Sequence, residues 1–381
     1  MAKTSMLTTN ALTMQWWAKK GFVDIYKKAQ FGRMFDRGSI FRAEELDRAK
    51  KGDEVTFSFN GILTGIGIGE GGTLTGNEEK LDLQSHTMKW NVFRHAVCSP
   101  NEDTIEQVRT NVDFDKNARE LLPEFHRSRL DASAFNQLAG VDSTTIEVDT
   151  AIYSGDDRTF VQGLNTVNAP TANRILRAGG TATTDELLTT ADTMNLDIID
   201  AAIETLQRTY PYAGPLEGEE FDLYVSHEQE TDLKRDSTGK IQWYGNYLAT
   251  IQGGDTMDNM IMNGSKYGTQ RIGKYANVNI IPTTRVATGV DSVTNAAIPT
   301  VRRAVLVGKN ALSFGSAFSG ALSGDKERGG QVPFKFTTQL KDYDYDSGVE
   351  ARMIYGLKKV QFSNEDFGSL VISTYAAPHA A

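Results

Sequence analysis

Hydrophobic and polar positions along this chain change period several times, and each change marks an element. From Glu54 the period is two: Val55, Phe57 and Phe59 alternate with Thr56, Ser58 and Asn60, as in a half-buried strand. The return half, LDLQSHTMKWNV, alternates again through Leu81 and Leu83, then Met88, Trp90 and Val92. Between them lies GIGIGEGGTLTGNEE, Gly65 to Glu79, with six glycines in fifteen residues. Such glycines suit a ribbon tip that adopts φ > 0 or lets another backbone approach closely. A ten-residue strand reaches about 33 Å, and a lone two-stranded ribbon is marginal in water. The ribbon therefore needs a surface outside itself, such as a neighbouring subunit.

Helical spacing follows. Ser99-Pro100-Asn101-Glu102 sets a serine cap, a proline at the first helical position and a glutamate at the third, which predicts a helix from residue 100. Ile105, Val108, Val112, Ala118, Leu121, Leu122, Phe125, Leu130, Ala134 and Leu138 carry the spacing to Gly140, a stop signal. Pro123 is expected to kink or break this helix. Residues 141–182 read as loops with short strands at 145–148 and 159–161. Thr183 with Glu186 is a second capping box, opening an amphipathic helix that carries Leu187, Leu188, Met194, Leu196, Ile198, Ile199, Ala202, Ile203 and Leu206. Further strands are predicted at 221–225, 278–281 and 304–307, and after the glycine- and serine-rich stretch 314–330 at 334–340, 349–355 and 370–375. SHEQETDLKRDSTGK, after the first of these strands, reads as a helix ended by a turn. Residues 1–50 keep no sustained period. Trp16, Trp17, Phe22, Ile25, Tyr26, Phe31, Met34, Phe35, Ile40 and Phe41 fit either an arm lying on another surface or short helices packed on their own domain.

Composition narrows the function. At 381 residues the chain exceeds the roughly 250 to 300 at which one core stops growing, so more than one packing unit is expected. The formal net charge is −9 and no run of Lys and Arg exceeds a pair, so the footprint of a dedicated nucleic-acid binder is missing. Cys98, the single cysteine, excludes an intrachain disulfide and is expected to be a small buried residue. The N-terminal stretch has no continuous apolar run of the secretory type, and no stretch of about 18 apolar residues occurs, so a soluble protein with no membrane partner is expected.

Candidate chemistry mostly fails its own tests. Gly67-Ile-Gly-Glu-Gly-Gly72 matches G-x-G-x-x-G after a strand, yet a dinucleotide site needs a helix next, and Thr73-Leu-Thr-Gly-Asn77 continues as turn and strand. Asp342-Tyr-Asp-Tyr-Asp346 imitates a calcium loop, but Ser347 and Met353 stand where glycine and a bidentate glutamate belong. His95 with Cys98 and His227 with Glu228 are isolated pairs, and no nucleophile elbow surrounds any serine. The reading has no catalytic residue, metal or cofactor.

Arm, glycine-tipped ribbon, long helix, central domain and closing strands, in that order, give an α+β chain that resembles the major capsid proteins of tailed phages of the Hong Kong 97 type. The likeness rests on KGDEVTFSFNGILTGIGIGEGGTLTGNEEKLDL with FRHAV, on YVSHEQETDLKRDSTG and on YDSGVEARMIYGLKKVQFSNEDFGSLVISTYA. Within that superfamily the chain most resembles the capsid family of phages related to coliphage N-four. The resemblance implies an arm (1–50), an extended loop (51–98), a peripheral domain with a long helix (99–183), an axial domain (184–330) and C-terminal strands returning to the peripheral domain (331–381). It implies hexamers and pentamers of this chain forming an icosahedral shell around double-stranded DNA touched without specificity. A separate scaffolding protein, a portal and a decoration protein are its implied partners, and the virion, assembled in host cytoplasm, its location. Expected inter-subunit contacts are Trp16 and Trp17 in the arm, Phe57, Phe59, Met88 and Trp90 on the ribbon, and Gly67, Gly69 and Gly72 at its tip. An encapsulin-like bacterial compartment shell is the alternative on the same fold.

Overall fold

In the computed structural model the described residues are 33–34, 37–42, 54–60, 63, 65–80, 83–89, 91–100, 114–141, 165–216, 219–235, 273–275, 277–317, 334–341 and 346–378. Trp16, Trp17, Trp90, the side chain of Phe59, the strands expected at 145–148 and 159–161, the turn at 342–345 and most of the stretch 314–330 lie outside them.

Two sheets carry the fold. The five-stranded sheet is built on strand β13 (Asp346–Lys359), so numbered in chain order. β4 (Asn91–Pro100) pairs along one edge of it, while β12 (Phe334–Lys341) and β11 (Leu312–Ala317) share the other. β1 (Ile40–Arg42) adds a parallel strand on β11. Alternation in β13 buries Val349, Ala351, Met353, Tyr355 and Leu357 against helix α1 (Phe114–Ala139). On the helix, Ala118, Leu122, His126, Leu130, Ala134 and Leu138 recur every fourth residue and are all buried, one unbroken row.

Two expectations about this helix need correcting. Ser99 and Pro100 do not open it; they close β4, paired with Ser347 and Asp346. Pro123 does not break it either, since the helix runs from Phe114 to Ala139 with the proline inside. A proline costs a helix about 3 kcal/mol, which the buried row, continuous on both sides of it, offsets. Gly140 ends the helix at φ +64°, and a Cβ there would lie 2.6 Å from the Asn168 carbonyl oxygen.

The seven-stranded sheet runs β5 (Ile175–Arg177), β16 (Ser369–Tyr375), β10 (Ala297–Val307), β6 (Phe221–Val225), β8 (Val278–Pro282), β7 (Gly273–Tyr275), with β9 (Ala287–Val290) also on β10. Helix α2 (Leu196–Arg208) buries Leu196, Ile199, Ala202 and Leu206 in the core of this sheet. It starts later than the capping box suggested. Asn195 is the cap, its side chain accepting from Ile198 N, while Asp185–Leu187 make only one 3₁₀ turn. Asp185 is engaged elsewhere: its carboxylate accepts from Arg177 Nε at 2.9 Å and Arg303 Nε at 2.7 Å. Helix α3 (His227–Arg235) follows β6, and the short strands β14 (Gln361–Phe362) and β15 (Glu365–Asp366) pair antiparallel between β13 and β16.

The strands interleave the two sheets along the chain. β11 belongs to the five-stranded sheet, and β16, near the C-terminus, crosses to the seven-stranded one. An ion-pair network ties the N-terminal segment to β6: Arg33 Nε donates to Asp222 at 2.9 Å and Arg37 to Glu220 at 2.7 Å, while Asn279 Nδ2 donates to both carboxylates.

Candidate assembly surfaces

Strands β2 (Glu54–Asn60) and β3 (Leu83–Lys89) pair antiparallel over all seven residues, giving the expected ribbon. Its root is fixed to the five-stranded sheet. Met88 is fully buried and fits over Gly356, where an added Cβ would lie 3.1 Å from the Met88 Cγ and 2.5 Å from the Lys89 carbonyl oxygen. Lys358 Nζ donates to the Thr87 carbonyl at 2.8 Å. The Asn165 side chain accepts from Lys89 N and donates to Lys89 O, both at 2.9 Å. His86 Nε2 lies 2.8 Å from Ser313 Oγ. The same hydroxyl is in donating reach of the Lys358 carbonyl at 3.0 Å and the Met88 sulfur at 3.8 Å; when it donates to either, the imidazole is the donor to Ser313 through Nε2. Burial, with Lys358 nearby, pushes the His86 pKa down to about 4, so the ring is neutral at pH 7.

The described residues of the loop beyond the ribbon face outward. Residues 65–80 are all exposed, and β3 follows with no helix begun. Gly67, Gly71 and Gly76 take φ of +75°, +90° and +91°, conformations that other residues rarely adopt. No atom lies within 4 Å of a Cβ placed at Gly67 or Gly69, whereas one at Gly72 would strike the Ile68 side chain. The loop is held by two carboxylates: Glu79 accepts from Gly65 N at 2.7 Å and Glu78 from Gly76 N at 2.8 Å. Ile66 is 105% exposed and Leu74 69%, apolar surface that the isolated subunit leaves uncovered.

These positions sort the expected contact residues. Gly67, Gly69 and Gly72 stand at the open tip, and Phe57 is half-buried on the ribbon. Met88 is corrected: wholly inside its own subunit, it has no surface to offer a neighbour. Alternation had shown that Met88 shares a ribbon face but not that this face meets its own sheet at Gly356. Cys98 is corrected too, because it is exposed on β4. Sequence reasoning passed over Ile66 and Leu74, whose signal was apolar residues inside a glycine-rich turn.

The histidine pairs singled out in the sequence stay apart from one another among the described residues. His95 is stacked on Phe125 with centroids 4.2 Å apart. His227, exposed, lies 3.4 Å from Glu230. Among the described residues no group of three His, Cys, Asp or Glu could hold a metal, and no helix is long and apolar enough to cross a membrane.

A family model described as phage capsid protein matches residues 5–378, nearly the whole chain. The chain belongs to this phage capsid family. Its structure is similar to the capsid of Ralstonia phage GP4, at a TM-score of 0.72 and 22% identity, covering 100% of this chain and 97% of that one. It is also similar to the capsid of cyanophage Pam1 (TM-score 0.61, 16% identity, 90% of each chain). The head of Helicobacter pylori bacteriophage KHP40 matches at 0.59 and 13% identity, over 98% of this chain and 94% of that one. None of the curated proteins matches. The likenesses show the Hong Kong 97-type fold expected from the sequence. As a phage capsid protein the chain is a structural component of the virion shell, working as many copies of itself.

Proposed function

We propose that this is the major capsid protein of a tailed phage, forming hexameric and pentameric capsomers that close into an icosahedral shell around double-stranded DNA. The observation that carries the contact model is the ribbon loop, whose sixteen residues from 65 to 80 are all exposed, Ile66 and Leu74 among them. In this reading the loop lies on the adjacent subunit. Phe57, Phe59, Trp90 and the glycines Gly67, Gly69 and Gly72 shape that contact, and Trp16 and Trp17 extend it from the arm. The unit around α1 and β13 is peripheral and the unit around β6 and β10 axial, near the capsomer axis. A separate scaffolding protein directs closure in the host cytoplasm, a portal occupies one vertex and a decoration protein binds outside. The DNA is contained without specific contacts, which a chain of net charge −9 suits.

The test is expression of the full chain, alone and with its neighbouring reading frames, followed by sedimentation and negative-stain electron microscopy. Closed shells or rings of five and six are expected. A compact monomer under every condition would overturn the reading. DNA rather than enzyme cargo inside the particles separates a phage shell from a compartment shell.

A further inference from the structure

The five-stranded sheet has a second face, and its charge is unusual for this chain. Odd-numbered residues of β13 are buried toward α1, and Glu350, Arg352, Ile354 and Lys358 point the other way. On that outward face the register sets Arg94 of β4 directly opposite Arg352, and Arg352 directly opposite Lys335 of β12. With strands about 4.8 Å apart, three cations stand in a row about 10 Å wide. Like charges directly opposite one another destabilise a sheet. Among the described residues none of the three side chains has a hydrogen bond or ion pair. Glu350 shares the face two residues along β13, but it stands opposite Ala96 and Thr337, and its Oε1 makes no hydrogen bond. A chain of net charge −9 thus spends stability on an uncompensated basic row.

The layer in which the row lies indicates what neutralises it. The chain's own ribbon leaves across this same face, with Met88 over Gly356 and Lys358 holding Thr87. It covers the end of the face at residues 356–358; at the other end Arg94 and Val92 of β4 are exposed, while Glu350, Arg352 and Ile354 of β13 are half-buried. Beside the row Val92 is 40% exposed, and Ile354 opposite it is half-buried. A complementary occupant is acidic, partly apolar and at the level of the ribbon. The ribbon loop meets all three conditions: it carries Glu70, Glu78 and Glu79 against one cation, Lys80, together with exposed Ile66 and Leu74.

We infer that the row Arg94, Arg352, Lys335 is the docking site for the carboxylates of a second copy's ribbon loop. The inference rests on the reading that this loop lies on an adjacent subunit, and adds the surface that receives it. Its distinctive consequence is a trade: the row costs the free subunit stability and returns it on assembly. Neutralising the central cation should stabilise the subunit and weaken the shell, an opposition of signs that a merely structural arginine would not produce.

The experiment compares wild type, Arg352→Gln, Arg352→Glu and Arg352→Glu combined with Glu70→Lys and Glu78→Lys, all full-length and free of nucleic acid. For Arg352→Gln the melting midpoint of the unassembled subunit should rise by about 1 to 3 °C. The concentration needed for half assembly should rise about tenfold, the equivalent of one lost charge contact of about 1.4 kcal/mol. Arg352→Glu should assemble still less, and the ribbon reversals should restore it. A lowered midpoint for Arg352→Gln, assembly at the wild-type concentration, or no rescue of Arg352→Glu would each overturn the inference. Normal assembly of Arg352→Gln into shells that retain less DNA would overturn it in favour of a DNA-facing row. Failure of the wild type to assemble at all would instead remove the capsid reading on which it rests.

Discussion

Strand β6 and the ribbon loop use sequence in opposite ways. All five residues of β6 are buried, and its one charged side chain, Asp222, is matched by Arg33 and Asn279. All sixteen residues of the loop from 65 to 80 are exposed, and its carboxylates Glu78 and Glu79 accept from the loop's own backbone at Gly76 and Gly65. Fully burying a side chain such as Ile66 contributes about 1.5 to 3 kcal/mol, and the isolated subunit forgoes that gain. The information in β6 is consumed by the fold. That in the loop is left unused by the isolated subunit, and in the proposed shell it serves another copy.

The comparison breaks first at Asp222. Asp222→Ala leaves Arg33 buried without its carboxylate, so the subunit should lose about 3 to 5 kcal/mol, read as a fall in denaturant midpoint with unchanged slope. If stability fell by less than about 1 kcal/mol, β6 would not be the closed system described here.

Acid sharpens it next. His126, buried between α1 and β13 and hydrogen-bonded to the Ala351 carbonyl, is pushed down to about 4 by burial, as His86 is at the ribbon root. Both are neutral when folded and titrate near 6.5 when unfolded. Stability should therefore be intact above about pH 6.5 and fall as pH drops toward 4, by up to about 3 kcal/mol per histidine. Hydrogen exchange at pH 4.5 should quicken in α1, β3 and β13 before β6 and β10. A uniform response would contradict it.

A smaller effect is expected at Gly356. Gly356→Ala forces a Cβ against the Lys89 carbonyl and Met88, costing about 1 to 3 kcal/mol, with lost protection confined to β3 and its neighbours. The smallest is at Ile66. Ile66→Ser should leave the free subunit's stability within about 0.5 kcal/mol while lowering assembly yield in sedimentation. A subunit that melted early would mean the loop packs on its own chain.

Legibility followed the same division. Strands at 221–225, 278–282 and 369–375 were readable because each buries a whole run, leaving an apolar signature, and the strand at 334–341 by its alternation around the buried Phe336. The ribbon and its glycine tip were equally plain. Local signals failed where a tertiary partner overruled them: pairing with β13 drew Ser99 and Pro100 into a strand, and two arginines claimed Asp185 at the apparent capping box. The buried Met88 and exposed Cys98 show that alternation identifies a face without saying what covers it. The basic row was illegible, because Arg94, Lys335 and Arg352 become neighbours only through strand register.

The central claim, that the loop is built for another subunit, is tested most directly by amide hydrogen exchange across residues 65–80 in free subunits and in assembled shells. The account predicts rapid exchange in the free subunit and at least about tenfold slowing on assembly, with β6 slow in both. Equally rapid exchange of the loop in both states would contradict it.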